Sequence, residues 1–204
     1  MTLNATDIMQ TIPVSPELRK VSKILFLGDS GVGKTSLARR FTNSGFNTKY
    51  NMTICCNIFS REISGTQSPS EFFIINDIAG QSRFKDIRSI FYFNFESVFA
   101  VCDLTRKQTL ENLENVWIPE IILKSDIGRY KKINVVLIGN KLDLDDLHVI
   151  TSDDLRETLL RIESQYPNIT FKTPILLTSA KENMSIELFI DSKETNNLKN
   201  NIFN

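Results

Sequence analysis

The chain has 204 residues, which suits one α/β domain with a full-sized core and is too short for two complete domains. The chain has 24 lysines and arginines and 24 aspartates and glutamates, so its formal net charge is zero. Binding of nucleic acid through bulk charge is therefore not expected. Three cysteines without a CxxC pair and a single histidine argue against a disulfide framework and against histidine-pair chemistry, and favour a cytoplasmic location.

Composition changes along the chain and predicts one folded domain between two extensions. Residues 1–20 contain two prolines and several small polar residues, and are expected to form a flexible N-terminal extension. Residues 191–204 are rich in asparagine and lack apolar periodicity, so they are expected to form a polar C-terminal tail. The predicted domain is residues 21–190.

Short apolar runs alternate with helical spacing inside that domain. Runs that are apolar on both faces predict central parallel strands at 23–27, 97–102, 133–138 and 174–177. Apolar residues three and four apart predict helices at 37–41, 110–117, 155–162 and 186–190. Stretches 52–60 and 71–76 flank a turn-rich segment and predict a hairpin. The predicted fold is a doubly wound α/β sheet of six mostly parallel strands, with one antiparallel edge strand and helices on both faces.

A glycine-rich loop follows the first predicted strand and opens the first predicted helix. Residues 28–35, GDSGVGKT, match G-x-x-x-x-G-K-[ST] in the context that this phosphate-binding motif requires. The glycines let successive amide N–H groups face phosphate oxygens, Lys34 can reach the outer phosphates, and the Thr35 hydroxyl can hold Mg²⁺. ATPases, nucleotide kinases and GTPases share this loop, so it leaves the base open. Its predicted nucleotide-binding residues are Asp29, Ser30, Gly31, Val32, Gly33, Lys34, Thr35 and Ser36.

Two further motifs at the ends of predicted strands favour guanine as the base. Residues 140–143, NKLD, follow the strand at 133–138 directly, and the Asp143 carboxylate can accept hydrogen bonds from both N–H groups on the edge of guanine. Adenine has a different pattern and would leave that carboxylate unsatisfied. Asn140 is expected to brace neighbouring loops, and the Lys141 stem is expected to lie over the base. The next strand ends in TSAK at 178–181, where the predicted guanine-binding residues are Ser179, Ala180 and Lys181.

Taken in this order, the motifs resemble those of the Ras superfamily of small GTPases over residues 20–190. GDSGVGKTSL at 28–37 and GQSRF at 80–84 look most like the Rab branch, whereas WIPE at 117–120 is similar to a motif of the Rho branch. The resemblance implies a P-loop G domain with GTP or GDP and Mg²⁺ as its cofactors. It also implies that Phe46 packs against the guanine and that Tyr50 closes over the phosphates.

The same resemblance implies roles for residues around the terminal phosphate. Gly80 corresponds to the glycine that touches the γ-phosphate, and Gln81 corresponds to the glutamine that orients the attacking water. Lys34 would offset charge that develops during hydrolysis, so the implied catalytic residues are Gln81 and Lys34. The implied Mg²⁺ ligands are Thr35, Thr53 and Asp77.

The implied function is a slow GTPase switch of Rab-like membrane traffic, a monomer with effector, exchange-factor and GTPase-activating partners. No arginine finger supplied by the chain itself is identifiable. Residues 200–204 contain no cysteine, so no prenyl anchor is expected and membrane contact would be peripheral.

Departures from the family pattern keep a second function open. Residues 76–82 read NDIAGQS where Rab proteins usually have WDTAGQE. Ile78 and Ser82 flank Gln81 and can misplace it, which favours a GTP-dependent binding module with negligible hydrolysis. A third reading, an ATP-using P-loop enzyme, requires both guanine motifs to be accidental.

Overall fold

A mixed β-sheet organises the protein, whose computed structural model describes residues 20–47, 52–63, 71–125, 132–171 and 175–185. Within these residues the sheet has seven strands in the order β2-β3-β1-β4-β5-β6, with β7 also paired to β5. In the described part of the chain, β2 and β3 pair antiparallel and the other strand pairs are parallel. The doubly wound α/β prediction is therefore confirmed. The strands are Lys20–Leu27, Cys56–Ile63, Glu71–Ile78, Ser97–Asp103, Ile133–Asn140, Ile169–Thr170 and Ile175–Thr178.

The seventh strand corrects the predicted number of six. β6 and β7 both pair with β5, at its beginning and at its end, so two short segments share one edge of the sheet.

Helices follow most of the strands. The α-helices are α1 (Lys34–Phe41), α2 (Lys85–Arg88), α3 (Lys107–Asn112), α4 (Ile118–Lys124) and α5 (Ser152–Gln165). A π-helical segment, Leu113–Trp117, joins α3 to α4, and 3₁₀ turns lie at Ser82–Phe84, Ser89–Phe91 and Asp145–Leu147. None of the helices in the described residues is long and apolar enough to cross a bilayer. The predicted helix at 186–190, the N-terminal extension up to residue 19 and the C-terminal tail lie outside the described residues.

The core lies on both faces of the sheet because successive strand residues point to opposite sides. Leu25 and Leu27 of β1 join a cluster completed by α3, α4 and α5. Ile24 and Phe26 of the same strand join a second cluster that includes α1. Since β1, β3, β4, β5 and β7 run parallel, their carboxyl ends meet at one edge, where doubly wound sheets bind ligands.

The start of β2 differs from the strand predicted at 52–60. Cys55 has a φ of 64°, in the left-handed region, and the strand begins only at Cys56. An L-residue in this region cannot continue a strand. The break accompanies a turn of Thr53 toward the carboxyl edge, where its hydroxyl lies 3.0 Å from that of Thr35.

Candidate nucleotide-binding site

A cavity of about 390 Å³ opens at the carboxyl edge of the sheet. This volume is within the range of small-molecule sites. Most of the residues that line the cavity were predicted from the sequence, but Arg39, Asn47, Met52 and Leu144 were not. The lining residues are Ser30, Gly31, Gly33, Lys34, Thr35, Ser36, Arg39, Phe46, Asn47, Met52, Thr53, Gly80, Gln81, Asn140, Lys141, Asp143, Leu144, Ala180 and Lys181.

Lys34 lies buried at the base of the glycine-rich loop. Its Nζ donates hydrogen bonds to the carbonyls of Gly28, at 2.8 Å, and Asp29, at 2.7 Å. Burial lowers the pKa of Lys34 to about 8, although the nearby charges of Asp77 and Asp29 work in the opposite direction. A phosphate group would stabilise the charged ammonium, so the loop is electrostatically prepared for an anion.

Asn140 ties the glycine-rich loop to the loop after β7. Its Nδ2 donates to the Val32 carbonyl at 2.8 Å, and its Oδ1 accepts from the Ala180 N–H and the Thr178 hydroxyl, each at 3.2 Å. A Cβ atom at Gly33, whose φ is 102°, would lie 2.1 Å from that Nδ2. Glycine at this position therefore allows the Asn140 amide to reach across.

Carboxylates contact three further side chains of the two guanine motifs. Asp143 accepts a hydrogen bond from Ser179 Oγ at 2.6 Å, and Lys181 Nζ lies 3.7 Å from its other oxygen. Lys141 Nζ lies 2.6 Å from Asp103 Oδ2. Burial alone would raise the pKa of Asp103, but the hydrogen bond from Lys141, with others nearby, lowers it overall. The charged Asp103 carboxylate therefore holds the Lys141 side chain through its ammonium group.

Arg40 is a residue of this region that the motifs did not reveal. From α1 it donates to the carbonyls of Ala180 and Lys181, at 2.8 and 2.7 Å. Its guanidinium carbon also lies 5.3 Å from the centre of the Phe46 ring. Arg40 therefore connects the predicted guanine-stacking aromatic to the loop after β7. No local signal in the sequence pairs it with residues about 140 positions away.

The predicted Mg²⁺ ligands lie together at the mouth of the glycine-rich loop. Thr35 Oγ1 donates to Asp77 Oδ2 at 2.6 Å and lies 3.0 Å from Thr53 Oγ1. Asn57, which sequence reasoning missed, donates to the same Asp77 oxygen at 3.2 Å.

The chemistry of this cluster suits a hard divalent cation. Asp77 Oδ1 is buried and receives no hydrogen bond from the residues that the structure describes. Burial raises the pKa of Asp77, against the hydrogen bonds from Thr35 and Asn57. One carboxylate and two hydroxyl oxygens are donors that Mg²⁺ accepts. These three residues would hold the ion, which supplies positive charge to phosphate oxygens when it is bound.

Gly80 and Gln81 enter the cavity beside the glycine-rich loop. A Cβ atom at Gly80 would lie 2.4 Å from the carbonyl carbon of Asp29, so only glycine fits this approach. Gln81 lines the cavity with an extended backbone, φ −86° and ψ 137°. Its carbonyl accepts a hydrogen bond from Arg88 Nη1 at 3.3 Å.

Several predicted residues do not line the cavity. The Asp29 carboxylate turns away from it and accepts hydrogen bonds from Trp117 and Asn112. The Val32 and Ser179 side chains are fully buried, so Val32 takes part through its backbone and Ser179 through its bond to Asp143. Tyr50 lies outside the described residues.

Comparison with known proteins decides the family. Residues 23–195 match the family model of the Ras family. The chain belongs to the Ras family. It is 28% identical over 174 residues to the Ypt/Rab-type GTPase YPT7 of Saccharomyces cerevisiae, covering 85% of this chain and 80% of the relative. It is 31% identical over 173 residues to the Ras-related protein Rab7 of Pisum sativum, covering 83% and 78%.

Relatives of this Ras-family chain also settle its branch. A further match is the Ras-related protein RABG3c of Arabidopsis thaliana, at 31% identity over 186 residues, covering 89% of this chain and 84% of the relative. The resemblance to the Rab branch is therefore confirmed, at identities that mark a divergent member. Its assignment to the GTP hydrolases of this family is confirmed with it.

Proposed function

We propose that this Ras-family chain binds GTP and GDP with Mg²⁺ and is a slow GTPase switch. The observation that carries the proposal is one cavity lined by Lys34, Thr53, Gln81, Asn140 and Asp143. The cavity is therefore lined by residues predicted to contact phosphate, to orient the attacking water and to bind guanine. An ATP-using enzyme would not need a carboxylate that matches guanine.

In the proposed reaction, water attacks the γ-phosphate in line with the leaving oxygen. The Gln81 amide orients that water, and the charged Lys34 offsets the negative charge that develops on the phosphate oxygens. Loss of the γ-phosphate removes contacts to Thr53 and Gly80, which frees two loops and switches the surface that partners bind. A partner that supplies an arginine would accelerate the reaction.

Turnover is tested by loading the protein with GTP and Mg²⁺, removing the excess, and following the bound nucleotide by chromatography for hours. We expect slow conversion to GDP in the wild type. Gln81→Leu should slow the conversion at least about tenfold, because general-base and water-positioning groups contribute about 10²-fold or more. The matched control is Gln165→Leu, an exposed glutamine at the end of α5. GTP that persists unchanged in the wild type would favour the binding module over the enzyme.

Base specificity has its own test. We expect unlabelled GTP, but not ATP at a hundredfold excess, to displace a labelled GTP analogue. Asp143→Ala should weaken GTP binding, because the N–H groups of guanine lose a charged acceptor. Effective competition by ATP would contradict the assignment of guanine.

We further propose a role in membrane traffic like that of Rab proteins, with effector, exchange-factor and GTPase-activating partners. The protein would act as a cytoplasmic monomer with peripheral contact to intracellular membranes. Exposed apolar residues near the segments that carry Thr53 and Gln81 support a partner surface there. The exposed apolar residues of this surface are Ile54, Ile58, Ile87 and Ile90. Ile58→Arg should abolish GTP-dependent partner binding at unchanged nucleotide affinity, whereas Leu160→Arg on α5 should not.

A further inference from the structure

A buried arginine lies seven residues after Gln81, at the end of α2. Arg88 is only 2% exposed, and its Nε and Nη2 donate to the two Glu120 carboxylate oxygens at 2.8 and 2.5 Å. Its guanidinium carbon lies 4.1 Å from the centre of the Trp117 ring. The Tyr92 hydroxyl adds a hydrogen bond to Glu120 at 2.9 Å. The arginine is therefore fixed on its edge and on its face.

The third nitrogen of Arg88 reaches the catalytic segment. Nη1 donates to the Gln81 carbonyl at 3.3 Å and lies 3.5 Å from the Ala79 carbonyl oxygen, on the other side of Gly80. A buried ion pair gives little net stability, because desolvation of both charges offsets their attraction. What this pair provides is a fixed donor against the backbone of Gln81.

The same cluster is bonded to the phosphate loop. Trp117 Nε1 donates to Asp29 Oδ1 at 2.8 Å, and Asn112 Nδ2 donates to Asp29 Oδ2 at 2.7 Å. Trp117 belongs to the π-helical segment between α3 and α4, and such segments are frequent at functional sites. A continuous set of contacts thus runs from the phosphate loop through Trp117 and Arg88 to Gln81.

We propose that Arg88 is a positioning residue for GTP hydrolysis, holding the Gln81 backbone in register with the phosphate loop through Glu120 and Trp117. This rests on the proposed hydrolytic function. Arg88, Glu120 and Trp117 do not line the cavity, so they act through Gln81 and not on the nucleotide. Misplacement of a reacting group by about 1 Å can cost about a hundredfold in rate. Loss of the Arg88 contacts should therefore reduce the hydrolysis rate while nucleotide affinity is kept.

The test compares Arg88→Lys with Arg161→Lys in single-turnover hydrolysis by GTP-loaded protein. Lysine keeps the charge but cannot bind Glu120 at two points and Gln81 at a third. Arg161, on α5, is the matched control, because it also pairs with a carboxylate of the π-helical segment, Glu114, but its side chain is half exposed. We expect Arg88→Lys to lower the rate about tenfold or more, with the Kd for GTP within about twofold. Arg161→Lys should leave both unchanged.

A second variant keeps the proposal testable should Arg88→Lys not fold. Trp117→Phe retains an aromatic ring beside Arg88 but removes the N–H that binds Asp29, so it should lower the rate severalfold at unchanged affinity. Wild-type rates in the folded Arg88 and Trp117 variants would overturn the positioning role and leave the GTPase proposal standing. A wild-type protein that never converts GTP would overturn both.

Discussion

Removal of the Asn140 side chain gives a stability prediction that can be worked from the structure. The residue is 2% exposed, and Asn140→Ala leaves three buried groups unpaired: the Val32 carbonyl, the Ala180 N–H and the Thr178 hydroxyl. Each lost bond of this kind costs about 1 kcal/mol, because the remaining partner stays desolvated. We therefore expect a loss of about 3 kcal/mol in the free energy of unfolding. A domain of this size has about 5–15 kcal/mol, so the variant should still fold.

Urea unfolding of the nucleotide-free protein, followed by far-UV circular dichroism, measures this loss. Asn134→Ala is the matched control, since Asn134 lies near the start of the same strand, far from the cavity, and is only half buried. It should lose about 1 kcal/mol or less. An Asn140→Ala variant no less stable than this control would refute the view that the amide holds the two loops together. It would mean that other contacts, such as those of Arg40 with the loop after β7, are sufficient to hold the loops.

Three further predictions concern Lys34, Cys55 and Arg40. Lys34 has its pKa lowered to about 8, and bound phosphate favours the charged form. Affinity for GDP should therefore be level below pH 8 and fall as the pH rises above it, with proton uptake on binding visible by calorimetry in two buffers; level affinity to pH 9 would contradict this. Cys55→Gly should stabilise the protein by up to about 1 kcal/mol by relieving the left-handed φ, whereas Cys55→Ala should not, as measured by thermal unfolding. Arg40→Met should raise the dissociation rate of GDP about tenfold through loss of two carbonyl contacts, with Arg161→Met as an unaffected control.

Local patterns were sufficient for the frame of the protein and for the placement of its motifs. The glycine-rich loop was predictable because a buried strand, a turn that needs positive φ and a helix start are all written within about a dozen residues of sequence. The helix predicted at 155–162 lies within α5, because its apolar residues recur three and four positions apart. Both guanine motifs follow strands whose carboxyl ends must meet at one edge in a parallel sheet.

Tertiary packing decided which side chains meet behind those motifs. Arg88 and Glu120 are separated by 32 residues, Trp117 and Asp29 by 88, and Arg40 and Ala180 by 140. Propensity and periodicity act over one or two helical turns, so they carry no information on such pairs. Local sequence patterns were therefore enough to predict a Rab-like glycine-rich loop on a doubly wound sheet. Only the packing of α2, α3 and α4 against each other turned the Asp29 carboxylate away from the cavity and brought a buried arginine to the backbone of Gln81, because the partners exist together only in the folded state.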